Sequence, residues 1–171
     1  MTFKPINLQD ILIQNISDQP YRIWDNSPQK VFHDYRVHGY VINKEGKAEE
    51  VGHITLSRCC YSAIDYDNDD FWFEKKGKIK TPRVVAVFQD TEESFRGQGV
   101  SGELLKLVNT MAKVKFGCSI SSDTTFCHSP VYNWKEKNYV ERPAKKVWEK
   151  LEVEGFAYSH LYRDKPRWVM L

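Results

Sequence analysis

The chain has 171 residues, of which 41% are hydrophobic and 13% aromatic, and a formal net charge of +2. That length and apolar share predict one compact domain over 1–171 with a core of its own. The charge is far below that of a dedicated nucleic-acid-binding domain. No apolar run approaches the ~20 residues of a transmembrane helix, and the opening Met-Thr-Phe-Lys-Pro has no secretory hydrophobic stretch, so a cytoplasmic protein is expected.

Residues 1–30 read as a variable lead-in. Ile6, Leu8, Ile11, Leu12 and Ile16 fit one short amphipathic helix, which Pro20 and Pro28 keep from running further. Tyr35 to Ile42 then has strand composition, Asn43 to Gly46 is a turn, and Val51 to Leu56 is the return strand of an antiparallel hairpin. Residues 61–82 form a long connection. Asp65, Asp67 and Asp69 mimic the start of a calcium loop, but the required glycine and twelfth-position glutamate are not in place. Pinned by Phe71, Trp72 and Phe73, this segment is a solvated connection or a flap facing substrate.

Residues 83–89 predict a central strand and 101–115 a helix, with Leu104, Leu105, Val108, Met111 and Ala112 at helical spacing. A further strand follows at 118–122. Residues 126–140, with Pro130, Tyr132, Trp134 and Tyr139, predict an irregular insert. Pro143 opens a helix that carries Ala144, Val147, Trp148 and Leu151 on one face. The chain closes with a strand from Phe156 to Tyr162, a turn at Asp164-Lys165-Pro166 and a last strand over Trp168 to Leu171. The predicted class is α/β (α+β): a mixed, largely antiparallel sheet with helices on both faces. Cys59, Cys60, Cys118 and Cys127 make no C-x-x-C pair and the five histidines are scattered. Reduced thiols and no metal site are therefore expected.

The most informative stretch is Ser94-Phe-Arg-Gly-Gln-Gly-Val-Ser-Gly-Glu-Leu-Leu105, between the central strand and its helix. Glycines that turn a strand into a helix N-terminus make an anion site. The first helical amides lack partners, the helix dipole favours negative charge, and glycine lets a phosphate approach the backbone. No Lys-Ser or Lys-Thr follows, which excludes a P-loop. Gly97, Gly99 and Gly102 do spell G-x-G-x-x-G, but no βαβ unit with a ribose-binding acid follows.

Arg96-Gly-Gln-Gly-Val-Ser followed by Glu-Leu-Leu resembles the pyrophosphate loop of the GCN5-related N-acetyltransferases: Arg or Gln, two residues, Gly, one residue, then Gly or Ala. Arg96, Gly99 and Ser101 occupy those places, Ser101 being a small departure. The likeness covers roughly residues 31 to 171, its specific part being 84–105. It implies acetyl-CoA as cosubstrate, with the pyrophosphate on Arg96, Gly97, Gln98, Gly99, Val100, Ser101 and Gly102. The pantetheine arm would run along Val87, Phe88 and Gln89. It also implies an N-acetyltransferase acting on a primary amine in a small molecule, a protein or an aminoacyl-RNA, with no membrane partner and a homodimer left open.

Acyl transfer requires a neutral amine. Neutralising a lysine-type amine at pH 7 costs about 4–5 kcal/mol, an α-amine only about 1. The family's usual proton-transfer positions fall here on Arg83, in place of a glutamate, and Trp148, in place of a tyrosine. The substitutes offered are Asp123, at the end of the strand that should part from the central one, and the insert tyrosines Tyr132 and above all Tyr139. The departures also support a second reading, a binding module of the same fold that holds coenzyme A or a protein partner without turning it over. A third, a nucleic-acid partner, draws on Lys135, Lys137, Arg142, Lys145 and Lys146 beside the insert aromatics, diluted by Glu136 and Glu141.

Overall fold

The structure is a computed structural model describing residues 2–22, 31–59, 73–76 and 79–171. Eleven strands are described: β1 (Leu12–Arg22), β2 (Val31–Ile42), β3 (Ala48–Cys59), β4 (Phe73–Lys76), β5 (Ile79–Pro82), β6 (Val84–Thr91), β7 (Ile120–Ser122), β8 (Val131–Asn133), β9 (Asn138–Val140), β10 (Ala157–Tyr162) and β11 (Lys165–Met170). The α-helices are α1 (Val100–Phe116), α2 (Thr124–His128) and α3 (Pro143–Val153). Seven strands form one sheet in the order β1-β2-β3-β6-β7-β11-β10, and β4-β5 and β8-β9 are separate hairpins. Every pair in the large sheet is antiparallel except β6 with β7, the pair that the α1 crossover joins. This is the mixed, largely antiparallel sheet expected from the sequence.

Alternation builds the core. Val37 on β2, Ile54 and Leu56 on β3 and Val84 and Ala86 on β6 are buried, and they join Leu104, Leu105, Val108 and Ala112 of α1 and Ala144, Trp148 and Leu151 of α3 in one cluster. Two glycines set how closely α1 approaches. Gly39 and Gly52 are direct partners across β2 and β3. A Cβ at Gly39 would stand 2.2 Å from a Leu104 methyl, and one at Gly52 would stand 2.5 Å from the Asp90 carbonyl oxygen. The missing side chains make the socket that seats Leu104, whose burial contributes about 1.5–3 kcal/mol. Along α1 the buried positions 100, 104, 105, 108, 109 and 112 follow the helical period.

Three expectations are corrected. The lead-in is not an amphipathic helix: a single 3-10 turn at Leu8–Asp10 precedes β1, which is an edge strand of the sheet. Pairing along β2 overrides a helical period carried by only a few residues. The segment 126–140 is not irregular, since it holds the end of α2 and the β8-β9 hairpin. The last turn lies earlier than expected. Arg163 and Asp164 take left-handed backbone (φ 50° and 65°), and Pro166 pairs with Leu161 inside the strand. A type I′ two-residue turn, as here, needs both central residues at positive φ, a conformation closed to proline. Of the long connection expected over 61–82, residues 61–72 and 77–78 lie outside the described residues, and the rest is not a plain connection but the β4-β5 hairpin.

Candidate functional site

The site begins with a bulge. Thr55 pairs with Phe88 and Leu56 with Ala86, so Val87 is an extra residue in β6. Before the bulge, Ala86 faces the core. After it, Phe88 sits on the opposite face, 41% exposed, while Gln89 returns to the helix side and is buried. At the same point β6 and β7 part. Their parallel pairing runs from Val84 with Ile120 to Ala86 with Ser122 and stops there. The β7-facing edge of Val87, Phe88 and Gln89 is thereby left without a strand partner among the described residues.

β6 leads into a 3-10 turn, Glu93–Phe95, anchored by buried Phe95. The bend that follows uses its glycines as backbone. Gly97 and Gly99 have φ of 80° and 85°; a Cβ on Gly97 would meet nothing within 4 Å, and one on Gly99 only Leu8, at 3.5 Å. Gly99 is the N-cap of α1, with no side chain to cap it. Among the described residues, the amides of Gly97, Gly99, Val100, Ser101 and Gly102 donate to no protein acceptor; the first α1 bond is from Glu103 N–H to the Gly99 carbonyl. The bend is a set of open donors at the positive end of a seventeen-residue helix.

Side chains hold this geometry. Gln89 donates to Ser101 Oγ at 2.9 Å, tying β6 to the first turn of α1. Arg96 turns back on the strand end, donating from Nε to the Thr91 carbonyl at 3.0 Å and lying 3.6 Å from the Asp90 carboxylate. Gln98 points away from the bend: it accepts from the Ile6 amide at 2.9 Å and donates to the Lys4 carbonyl at 2.7 Å, while Lys4 N–H reaches the Ser94 carbonyl. The lead-in is thus strapped along the loop, and Leu8 reaches the cleft. Nothing in the sequence marks that contact, because it joins segments far apart in the chain.

The bend opens into a cleft of about 620 Å³, lined by Phe88 to Thr91, by Arg96 to Glu103 and, across from them, by Phe126 and residues of α3. Lys106, Arg142 and Lys150 stand on its walls. Lys106, half-buried, lies 3.8 Å from Glu103 and over the Phe156 ring, while Lys150 forms an exposed pair with Glu154 at 3.7 Å that tethers its ammonium weakly. The predicted loop residues and Phe88 and Gln89 therefore share one cleft, which Val87 does not line. The sequence reading did not place Lys106 or Lys150 at a site, and it put Arg142 in a basic patch beside the insert aromatics rather than here.

The proton-transfer candidates are not brought together. Asp123 stands where β7 ends and caps α2: its carboxylate accepts from the Phe126 amide at 3.0 Å and its carbonyl from the Cys127 amide at 2.9 Å. Tyr139 is 70% exposed on the β8-β9 hairpin, packed edge-on against Tyr132, and does not line the cleft. Trp148 is fully buried in α3, and its indole N–H has no partner among the described residues. Cys127 is no nucleophile. Burial first, then the Asp123 carboxylate, push its thiol up to about 12 against the opposing pull of Arg142, so it stays protonated. Opposite the α1 side, His53 of β3 stacks on Phe88 at 5.5 Å, and Phe88 meets Phe126 at 5.5 Å.

No protein-family model and no curated protein matches the chain. Among solved structures, a point mutant of the AtaT toxin, bound to acetyl-CoA and to the C-terminus of the antitoxin AtaR, aligns over 94% of this chain and 92% of that one, with 10% identity and a TM-score of 0.45. A likeness at that level carries no weight for chemistry, which rests on the cleft itself. Among the described residues no helix is long and apolar enough to cross a membrane.

Proposed function

We propose that the chain is an acetyl-CoA-dependent N-acetyltransferase acting on a primary amine. One observation carries the reading: open amides at a glycine bend, at the N-terminus of a long helix, share a cleft with Phe88 and Gln89 of a bulged strand whose edge there has no strand partner among the described residues. A diphosphate satisfies the amides. An extended arm with amide groups of its own suits the unpaired edge of Val87 to Gln89, as an added strand would. Arg96, Lys106 and Lys150 supply positive charge for the phosphates.

On this reading the thioester lies at the parting of β6 and β7. The amine attacks the carbonyl carbon, the C–S bond breaks and coenzyme A leaves as a thiolate that takes up a proton. Backbone amides near the Val87 bulge are suited to the developing oxyanion. Asp123 is close to the parting strands, but its carboxylate already serves as a helix cap. Tyr139 would contribute only if an acceptor extends to the β8-β9 hairpin.

Titration calorimetry with acetyl-CoA tests the reading. The unaltered chain should bind, and Arg96→Glu and Gly99→Asp should each bind far more weakly while still unfolding in a cooperative thermal transition. A chain that does not bind, or variants that titrate unchanged, would exclude it. Buried Trp148, standing where a general acid is expected, favours a second reading, a binding module that holds coenzyme A without turnover. Binding without thiol release against a broad amine panel would select it.

A further inference from the structure

We propose that His53 is the general base of the transfer, receiving the proton that the acceptor amine loses as it attacks the thioester; this rests on the acetyltransferase reading above. The topology makes the case. The bulge at Val87 turns Phe88 and Asp90 onto the face opposite α1, the face that His53 occupies as the direct partner of Asp90. Phe88 borders the cleft on one side and stacks on His53 on the other, their rings 27° from parallel. Phe88 and Phe126, both lining the cleft, meet where β6 and β7 diverge, and Phe88 is the ring that lies between the cleft and His53. With the donor on the α1 side, an acceptor arriving from the His53 side reaches the parting of the strands past the Phe88 ring. His53 is the imidazole in contact with that ring.

The groups around His53 suit a base. From β2, His38 pairs directly with His53, its ring stacked at 5.5 Å, and its Nδ1 contacts the Glu50 carboxylate. Arg36 of β2, Glu50 of His53's own strand and Asp90 of β6 are the other charges that reach it. Burial lowers the His53 pKa below 6.5 and His38 lowers it further, while Asp90 and Glu50 oppose. The ring is therefore neutral at pH 7, with a lone pair available. In the step, the amine nitrogen bonds to the acetyl carbon, its proton passes to the imidazole directly or through one water, and the C–S bond breaks. The thiolate takes a proton from solvent, and the imidazolium returns its own to solvent.

The test measures thiol release from acetyl-CoA with glycinamide, tyramine, spermidine and water alone as acceptors, for the wild-type chain and His53→Gln. Calorimetry with acetyl-CoA and thermal unfolding run alongside. The expected result is equal acetyl-CoA affinity and a kcat lower by roughly 10²–10⁴-fold in His53→Gln. The wild-type kcat should fall on acidification with a midpoint below 6.5, a limb absent from the variant. Added imidazole should restore part of the rate in His53→Ala, which a merely structural role for the ring would not produce. Unchanged turnover and an unchanged acid limb in His53→Gln would overturn this assignment and leave the acetyltransferase reading standing. Acetyl-CoA binding with no thiol release to any acceptor would also overturn it. A failure to bind acetyl-CoA would remove the reading beneath it.

Discussion

After β7, helix α2 begins on Asp123, whose carboxylate and carbonyl take up the amides of Phe126 and Cys127. After β6, helix α1 begins on Gly99, which has no side chain to offer, and the amides from Gly99 to Gly102 have no acceptor among the described residues. The two junctions flank one parting pair of strands and treat the same physical problem in opposite ways. A capped N-terminus is complete within the chain. An uncapped one, with glycines that keep side chains out of the way, is completed by a ligand that brings negative charge. The difference separates the junction that holds the fold from the junction proposed to bind.

The largest expected effect breaks the open junction. Gly99→Asp puts a carboxylate beside the amides and a Cβ at a φ of 85°. Acetyl-CoA affinity in calorimetry should fall on the order of a hundredfold, about 2.8 kcal/mol. Gly52→Ala acts on the same junction from beneath, because its Cβ would strike the Asp90 carbonyl and crowd Leu104. Overpacking of this kind costs about 1–3 kcal/mol, and thermal unfolding should show it together with weaker acetyl-CoA binding as α1 is displaced. Asp123→Ala breaks the capped junction instead. It should cost about 1 kcal/mol, a fall in Tm of about 2–4 °C for a chain of this size, with acetyl-CoA affinity unchanged within about twofold. If Asp123→Ala abolished binding and Gly99→Asp spared it, the contrast between the junctions would be reversed.

The smallest effect lies away from both. The Ser159 hydroxyl, and then the Trp168 indole, donate to the Glu152 carboxylate and hold its pKa below 4.5. Folding therefore favours the ionised form. The gain is present above about pH 4.5 and is lost as pH falls through the lowered value. Glu152→Gln should flatten the acid limb of Tm against pH and leave acetyl-CoA affinity at pH 7 untouched, marking how far a change outside the junctions reaches.

Local chemistry was enough to place much of this molecule. Val84 to Phe88 as a strand, the glycine bend, α1 from its apolar spacing and α3 from Pro143 at its first turn are all written in short windows of sequence, where composition and period act directly on the backbone. The bend's open amides follow from the same window, since glycine at the N-cap supplies no side chain. What only the tertiary structure decided depends on distant partners. β2 draws residues 12–22 into an edge strand. The lead-in straps Gln98, and a one-residue mismatch between β3 and β6 turns Phe88 toward His53. A bulge and a strand partner are properties of two segments at once. No window of one segment carries them, and here they determine which residues face the cleft.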